Sequence, residues 1–353
     1  MSIGERIYQA RKLRAMSLRV LGNKAGVSHS AIQKYEKNED VPSSDVLVRL
    51  SRALDVRIEF FFRDEGKPIK LIPSLPHKKL SKMPKKAQES LRMEIKSWLE
   101  NFFEIEDIVG DKVVFDVSKL NVEVKRIEDV EKISMNLRRE WELGVNPIKS
   151  VIALLEDKGV KITKIKKMIG FDSYTFWAEY DFKVPVIALK EGIPITKERF
   201  ELLRSFGQLI LKISADLNEE EVLNRFARAF LVPASNMVKE FGEKRNNISW
   251  EELKILKQKY GISMKEQITR AQELSIISEN YCRLFLKKMN KYGYSKKEPL
   301  DLVSDEKPQR LNFLVSKAFS QGMISSLKAS ELLNITLEEF SKELMNDRAL
   351  TVV

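Results

Sequence analysis

Histidine is almost missing from this chain. Among 353 residues there are two, His29 and His77. Hydrolytic zinc sites lean on imidazole, so such a centre would have to be assembled from two remote segments. One cysteine, Cys282, excludes an intramolecular disulfide and suits a reducing compartment. No apolar run approaches the length of a membrane span, and the N-terminus lacks the apolar block of a signal peptide; a cytoplasmic location with no membrane partner is expected. Acidic residues are outnumbered, 51 against 62 Lys and Arg, for a net charge of +11. That balance favours a polyanionic partner without naming it.

The length allows two or three domains with real cores. Residues 1–62 give five short helical patterns separated by turn signals. Gly4 to Arg14 carries Ile7, Ala10 and Leu13 on one face. Ser17 caps a helix with Leu18, Leu21 and Ala25 that stops at Gly26. Ser28 caps the next, with Ile32 and Tyr35 inward. Pro42, Ser43 and Ser44 open a fourth through Leu54, and Ile58 to Phe62 closes the unit. From Glu65 to Pro84 four prolines (68, 73, 76, 84) break the pattern, and lysines 67, 70, 78, 79, 82, 85 and 86 make it a basic linker. Ala87 to Ile108 is a long amphipathic helix whose Trp98, Phe102 and Phe103 read as core by default and could equally form a dimer seam.

Beyond it, helices are expected at Asp129–Leu143 and Pro147–Lys158, and strands at Val160–Ile165, Tyr174–Tyr180 and Val184–Leu189. Further helices follow at Thr196–Ile213 and Asn218–Leu231. Everything after Ser249 reads as helical, at Trp250–Tyr260, Ser263–Leu274, Ser278–Met289, Gln309–Gln321, Leu327–Leu333 and Thr336–Met345. The fold class is mainly α with a small mixed α+β domain. Four regions result: 1–65, 66–125 (linker and amphipathic helix), 126–248 and 249–353.

The run from Leu18 to Glu36, followed by Asn38, Pro42 and Leu47-x-x-Leu50-x-x-Ala53-Leu54, resembles the XRE/lambda-repressor helix-turn-helix family. Gly26 permits the sharp turn, and Val27 and Ile32 bury the joint. Ser28, His29, Ser30, Gln33 and Lys34 are left pointing outward from the second helix, where short polar side chains can approach base edges in a major groove. Arg11, Arg14, Arg19 and Lys37 are the expected phosphate contacts. Two positions depart from the pattern. Leu18 stands where the family often has glutamine, and Gly22 replaces the usual alanine at a cost of roughly 1 kcal/mol in helix propensity.

The segment Arg199-Phe200-Glu201-Leu202-Leu203-Arg204-Ser205-Phe206-Gly207-Gln208-Leu209 resembles the zinc helix of the ImmA/IrrE metallopeptidases, usually near RFTLAHELGHLLL. Asn224-Arg225-Phe226-Ala227-Arg228-Ala229-Phe230-Leu231-Val232-Pro233 resembles the same family's A-N-x-F-A-A-x-L-L-M-P. In H-E-x-x-H two imidazoles one turn apart hold zinc and the glutamate is the general base. Here those positions are Arg204, Ser205 and Gln208, with Glu220 or Glu221 nearest to the family's remaining ligand. The resemblance implies a zincin-like domain whose motif has lost its chemistry, hence no metal, no cofactor, no catalytic residue and no enzyme. Ser205 has neither a histidine in reach nor a nucleophile elbow around it.

Together these readings describe a DNA-binding regulator that binds a double-stranded operator as a homodimer. An inactive peptidase-like domain would bind an effector or protein partner. Fused proteins of this kind resemble repressors or antitoxins, so a cognate toxin is one such partner. The alternatives are an active zinc metallopeptidase and an interaction module without an operator. Gly322 to Phe340 resembles a second helix-turn-helix-like pair, but its mixed Lys, Ser and Glu surface suits packing better than DNA.

Overall fold

Serine opens each of the first four helices. In the computed structural model, which describes residues 2–62, 69–73, 84–166, 172–300, 302 and 306–342, these are α1 (Ile3–Leu13), α2 (Leu18–Ala25), α3 (His29–Glu36) and α4 (Ser44–Leu54). The hydroxyls of Ser2, Ser17, Ser28 and Ser43 accept the N–H groups of Glu5, Val20, Ala31 and Val46, satisfying donors that have no partner inside the helix. Gly26 closes α2 at φ +67°, where a side chain would be strained. The expected fifth helix is a 3-10 turn, Ile58–Phe62, whose Phe61 completes a core of Ile7, Ala10, Leu21, Ala25, Ile32, Leu50 and Leu54. Gly22 is a packing requirement rather than only a propensity cost: a Cβ there would lie 2.7 Å from the Val27 carbonyl oxygen, inside the turn.

The body begins with β1 (Lys70–Pro73) and α5 (Lys85–Val109). β1 lies in the stretch read as linker, and it adds an edge strand to the sheet. Its proline sits at the strand end, where a missing N–H costs little. Lys67, Pro68, Pro76, Lys78, Lys79 and Lys82 of that stretch lie outside the described residues. Next come β2 (Val122–Val124), α6 (Asp129–Glu140), α7 (Val151–Asp157), β3 (Lys161–Ile165), β4 (Ser173–Glu179) and β5 (Lys183–Lys190). The main sheet has the order β1-β4-β5-β3; β4 is antiparallel to both neighbours and β3 runs parallel to β5. Alternation along the strands gives it two faces. Tyr174, Phe176, Val184 and Val186 meet Leu91, Ile95, Leu99 and Phe103 of α5 on one. On the other, Ile162, Ile187 and Leu189 join the main core.

Across that second face lies α8 (Ile195–Ile210), followed by β6 (Leu211–Ile213) and α9 (Glu219–Leu231). The helix expected to run through Ile213 therefore stops three residues early. Leu211 turns to extended geometry and β6 pairs in parallel with β2. Gly207 lets α9 approach: a Cβ there would lie 2.8 Å from the Phe226 ring. After α9 come α10 (Ala234–Phe241), α11 (Trp250–Tyr260), α12 (Met264–Glu273) and α13 (Glu279–Lys291). One hydrophobic core runs from Phe115 to Met289, across the boundary near residue 248 drawn from sequence. Finally α14 (Arg310–Ser320) and α15 (Ser326–Leu332) pack Leu314, Val315, Ala318 and Leu332 on Phe102 and Ile105 of α5. The aromatic stripe of α5, a candidate dimer seam, is thus spent inside the chain. The last expected helix ends at residues 343–345, outside the described residues. Among the described residues no helix is long and apolar enough to cross a membrane.

Candidate nucleic-acid interface

α3 is held from behind and left open in front. Ile32 is buried, and Arg11 of α1 reaches across to Glu36 with Nε and Nη2 at 2.5 and 2.6 Å from its two carboxylate oxygens. A third donor of Arg11 goes to the Met16 carbonyl. Gly4 lets α1 close on the end of α3, since a Cβ would fall 2.0 Å from the Tyr35 carbonyl oxygen. The rear of the helix is thereby fixed. On its front Ser28, His29, Ser30, Gln33 and Lys34 are all exposed. Ser28 caps the helix and lies 3.4 Å from the Ser30 hydroxyl. His29, Gln33 and Lys34 make no side-chain hydrogen bond or ion pair with a described residue.

The four expected phosphate contacts separate into two pairs. Arg11 is buried and fully engaged inside the unit, so it is no phosphate contact; its role is to lock α1 to α3. Arg14 directs its guanidinium to the Leu54 and Asp55 carbonyls and the Asp55 carboxylate, closing the C-terminus of α4. Arg19 and Lys37 remain exposed at the margins of α2 and α3, Lys37 within 3.8 Å of Glu39. Arg11 was misread because its partner lies 25 residues away, beyond the reach of helical periodicity.

The opposite side of α1 is docked on α5. Arg6 donates to Glu100 at 2.9 Å, Lys12 and Tyr8 both reach Glu89, at 2.6 and 2.9 Å, and the Ser90 hydroxyl donates to the Leu13 carbonyl. Arg57 reaches Ser330 of α15. This seam is polar, and sequence reasoning did not foresee it. It places the unit with α1 toward the body while α3 stays outside.

The polar positions of α8 are placed differently. Ser205 is fully buried and donates to the Ser173 hydroxyl of β4 at 2.9 Å. Thr175 of β4 donates to Gln208 Oε1 at 2.9 Å, and Arg204 lies 3.6 Å from Glu201. Glu220 and Glu221 are exposed in the first turn of α9. Among the described residues no three His, Cys, Asp or Glu side chains group into a metal-binding set.

Residues 7–61 match the family model described as helix-turn-helix. They are a helix-turn-helix domain. Over 62 residues this domain is 39% identical to an uncharacterized HTH-type transcriptional regulator of Sinorhizobium fredii, covering 18% of this chain and 43% of that protein. It is 36% identical over 62 residues to an uncharacterized transcriptional regulator in the ATPase CF(0) region of Rhodospirillum rubrum, covering 18% and 57%. The chain thus spans about half the length of the curated relatives it matches. A solved structure of ComR from S. thermophilus, in complex with DNA and its signalling peptide ComS, aligns over 98% of this chain and 95% of that one, at 13% identity and a TM-score of 0.20.

Proposed function

We propose that the chain is a transcriptional repressor whose helix-turn-helix domain reads an operator as a two-fold dimer, while its ImmA/IrrE-like body is a non-catalytic module for a protein partner. The observation that carries the first half is the open front of α3: His29, Gln33 and Lys34 hold unspent polar groups on an exposed helix whose rear is locked by Arg11 and Glu36. Such a face can reach base edges without costing the fold any internal bond. The local charge agrees, with 11 Lys and Arg against 7 Asp and Glu in residues 1–62.

The second half is supported by α8. A guanidinium at position 204 offers no lone pair to a metal, an amide at 208 is a poor zinc ligand, and a buried serine at 205 cannot serve as the carboxylate base. The packing around them is intact, since Phe206, Gly207, Phe226 and Phe230 form one continuous core with the sheet. A cognate toxin is the partner that the family resemblance implies.

The test is selection of a bound duplex from a random library by the full chain. Binding should fall steeply with salt, as counterion release requires. Gln33→Ala and Lys34→Ala should each lose about 1–3 kcal/mol of base discrimination while leaving the melting temperature unchanged. Unaltered sequence preference in both variants would sink the orientation given to α3. One equivalent of tightly bound zinc in the purified protein would sink the non-catalytic reading.

A further inference from the structure

Arg204 and Gln208 stand one turn apart on α8, so their side chains lie on the same strip of its surface. Thr175 donates to the Gln208 carbonyl oxygen, so the amide NH2 takes no part in that bond. That NH2 forms no hydrogen bond with a described residue. The Arg204 guanidinium forms none either; its only ion-pair partner among the described residues is the Glu201 carboxylate, at the loose distance of 3.6 Å, and that carboxylate also accepts from the Ser173 hydroxyl. Neither the guanidinium nor the amide belongs to the polar atoms sealed from solvent without a partner. The Arg204 side chain is nonetheless only 11% exposed. A guanidinium on a largely buried side chain, its N–H groups unspent and open to solvent beside an amide, matches one kind of group: an oxygen pair with negative charge.

We propose that Arg204 and Gln208 form a docking point for a carboxylate carried on an acidic peptide segment of the partner. Arg204 supplies the charge and two parallel donors, Gln208 a third, and Glu201 is the internal carboxylate that the incoming one displaces. The inference rests on the reading of the body as a partner-binding module and specifies the chemistry of the segment bound there. The positions occupied by metal ligands in the family that α8 resembles would then serve direct recognition of an anion.

The probe is fluorescein-labelled pentaglutamate, with pentaglutamine as control, followed by anisotropy on the full chain at about 0.15 M salt. Saturating duplex DNA is included to occupy the basic front of α3. Pentaglutamate should bind and pentaglutamine should not. Arg204→Gln should weaken binding about tenfold or more and Gln208→Leu by several-fold, as expected for hydrogen bonds to a charged group, with Arg204→Lys between wild type and Arg204→Gln. Glu201→Gln removes the competing carboxylate and should tighten binding several-fold, a gain that misfolding cannot produce. Absence of pentaglutamate binding, or equal binding by wild type, Arg204→Gln and Glu201→Gln, would overturn the proposal. Operator affinity should be unchanged in all four variants. A wild-type chain that selects no duplex at all refutes the repressor reading instead, whatever the peptide does.

Discussion

α3 and α8 both carry polar residues one helical turn apart, and they use them in opposite ways. On α3 the pairs His29 with Gln33 and Ser30 with Lys34 face outward, with no partner for His29, Gln33 or Lys34 among the described residues. On α8 the face turned to β4 is consumed: Ser205 bonds Ser173, and the Gln208 carbonyl bonds Thr175. Beside it, the Arg204 guanidinium makes no hydrogen bond to a described residue. A polar residue at the right spacing therefore says little until its partner is known. The same spacing leaves an open face in one case and builds a packing seam in the other.

The openness of α3 depends on the pair behind it, and this yields the largest expected effect. Arg11 and Glu36 have side chains 8% and 7% exposed, so removing one partner leaves a buried charge without compensation. Arg11→Ala should lower the unfolding free energy by about 3–5 kcal/mol, read by denaturant melts, whereas Arg11→Met with Glu36→Leu should recover most of the loss. A phosphate contact behaves otherwise: its removal would weaken DNA binding and leave the melt unchanged. That result would return Arg11 to the interface and erase the distinction between the rear and front of α3.

The body contains a contrasting carboxylate. Glu156 of α7 is buried too but has no guanidinium in hydrogen-bond contact among the described residues; it accepts the backbone N–H groups of Gln309 and Arg310, holding the start of α14. Burial pushes its pKa up to about 7 from an ordinary 4.5, against those N–H bonds and the charge of Lys161. The folded state thus holds a proton that the unfolded chain releases. Its stabilising contribution is complete below about pH 4.5, declines as pH rises toward 7, and is gone above it. Glu156→Gln keeps an acceptor for the two N–H groups and abolishes the ionisation. Its unfolding free energy should be close to wild type at pH 4 and exceed it increasingly up to pH 7, levelling off at a gain on the order of 3 kcal/mol. A constant difference across that range would mean that Glu156 ionises as freely as a surface carboxylate.

Local features were legible in the sequence, and long-range ones were not. Serine caps, Gly26 and the spacing of Ile7, Leu21, Ile32 and Leu50 place α1 to α4 because each signal acts within a few residues. The strands β3 to β5 were legible from short β-branched and aromatic runs. The switch from α8 to β6 was hidden, since Leu211 to Ile213 continue an apolar helical pattern and turn extended to pair with β2, almost 90 residues earlier. α10 was missed because Pro233 reads as a stop, yet proline also opens helices, and here it is the cap of the next one. At the candidate interface the outward residues of α3 followed from helical geometry. The engagement of Arg11 and Arg14 needed partners on α3 and α4 that no local pattern specifies.

The smallest expected effect concerns the other side of α1. Glu89 joins Lys12 and Tyr8 across the seam to α5, and the Lys12 ammonium, followed by the Tyr8 hydroxyl, holds its carboxyl below the usual range despite partial burial. The side chains of Lys12 and Glu89 are 22% and 35% exposed, so solvent and salt screen much of their attraction. Glu89→Gln should therefore cost only about 0.2–1 kcal/mol in low salt and still less in high salt. Glu100→Gln should cost more, because it strips a partner from the buried Arg6. Operator affinity should stay within about twofold in Glu89→Gln, since the seam faces away from α3 and any change reaches it only through a shift of the whole domain. A larger loss of affinity with an unchanged melt would show that the body sets the angle at which α3 meets its duplex. In that event the rear of the helix-turn-helix domain, polar and exchangeable, would govern its front as directly as the Arg11 lock does.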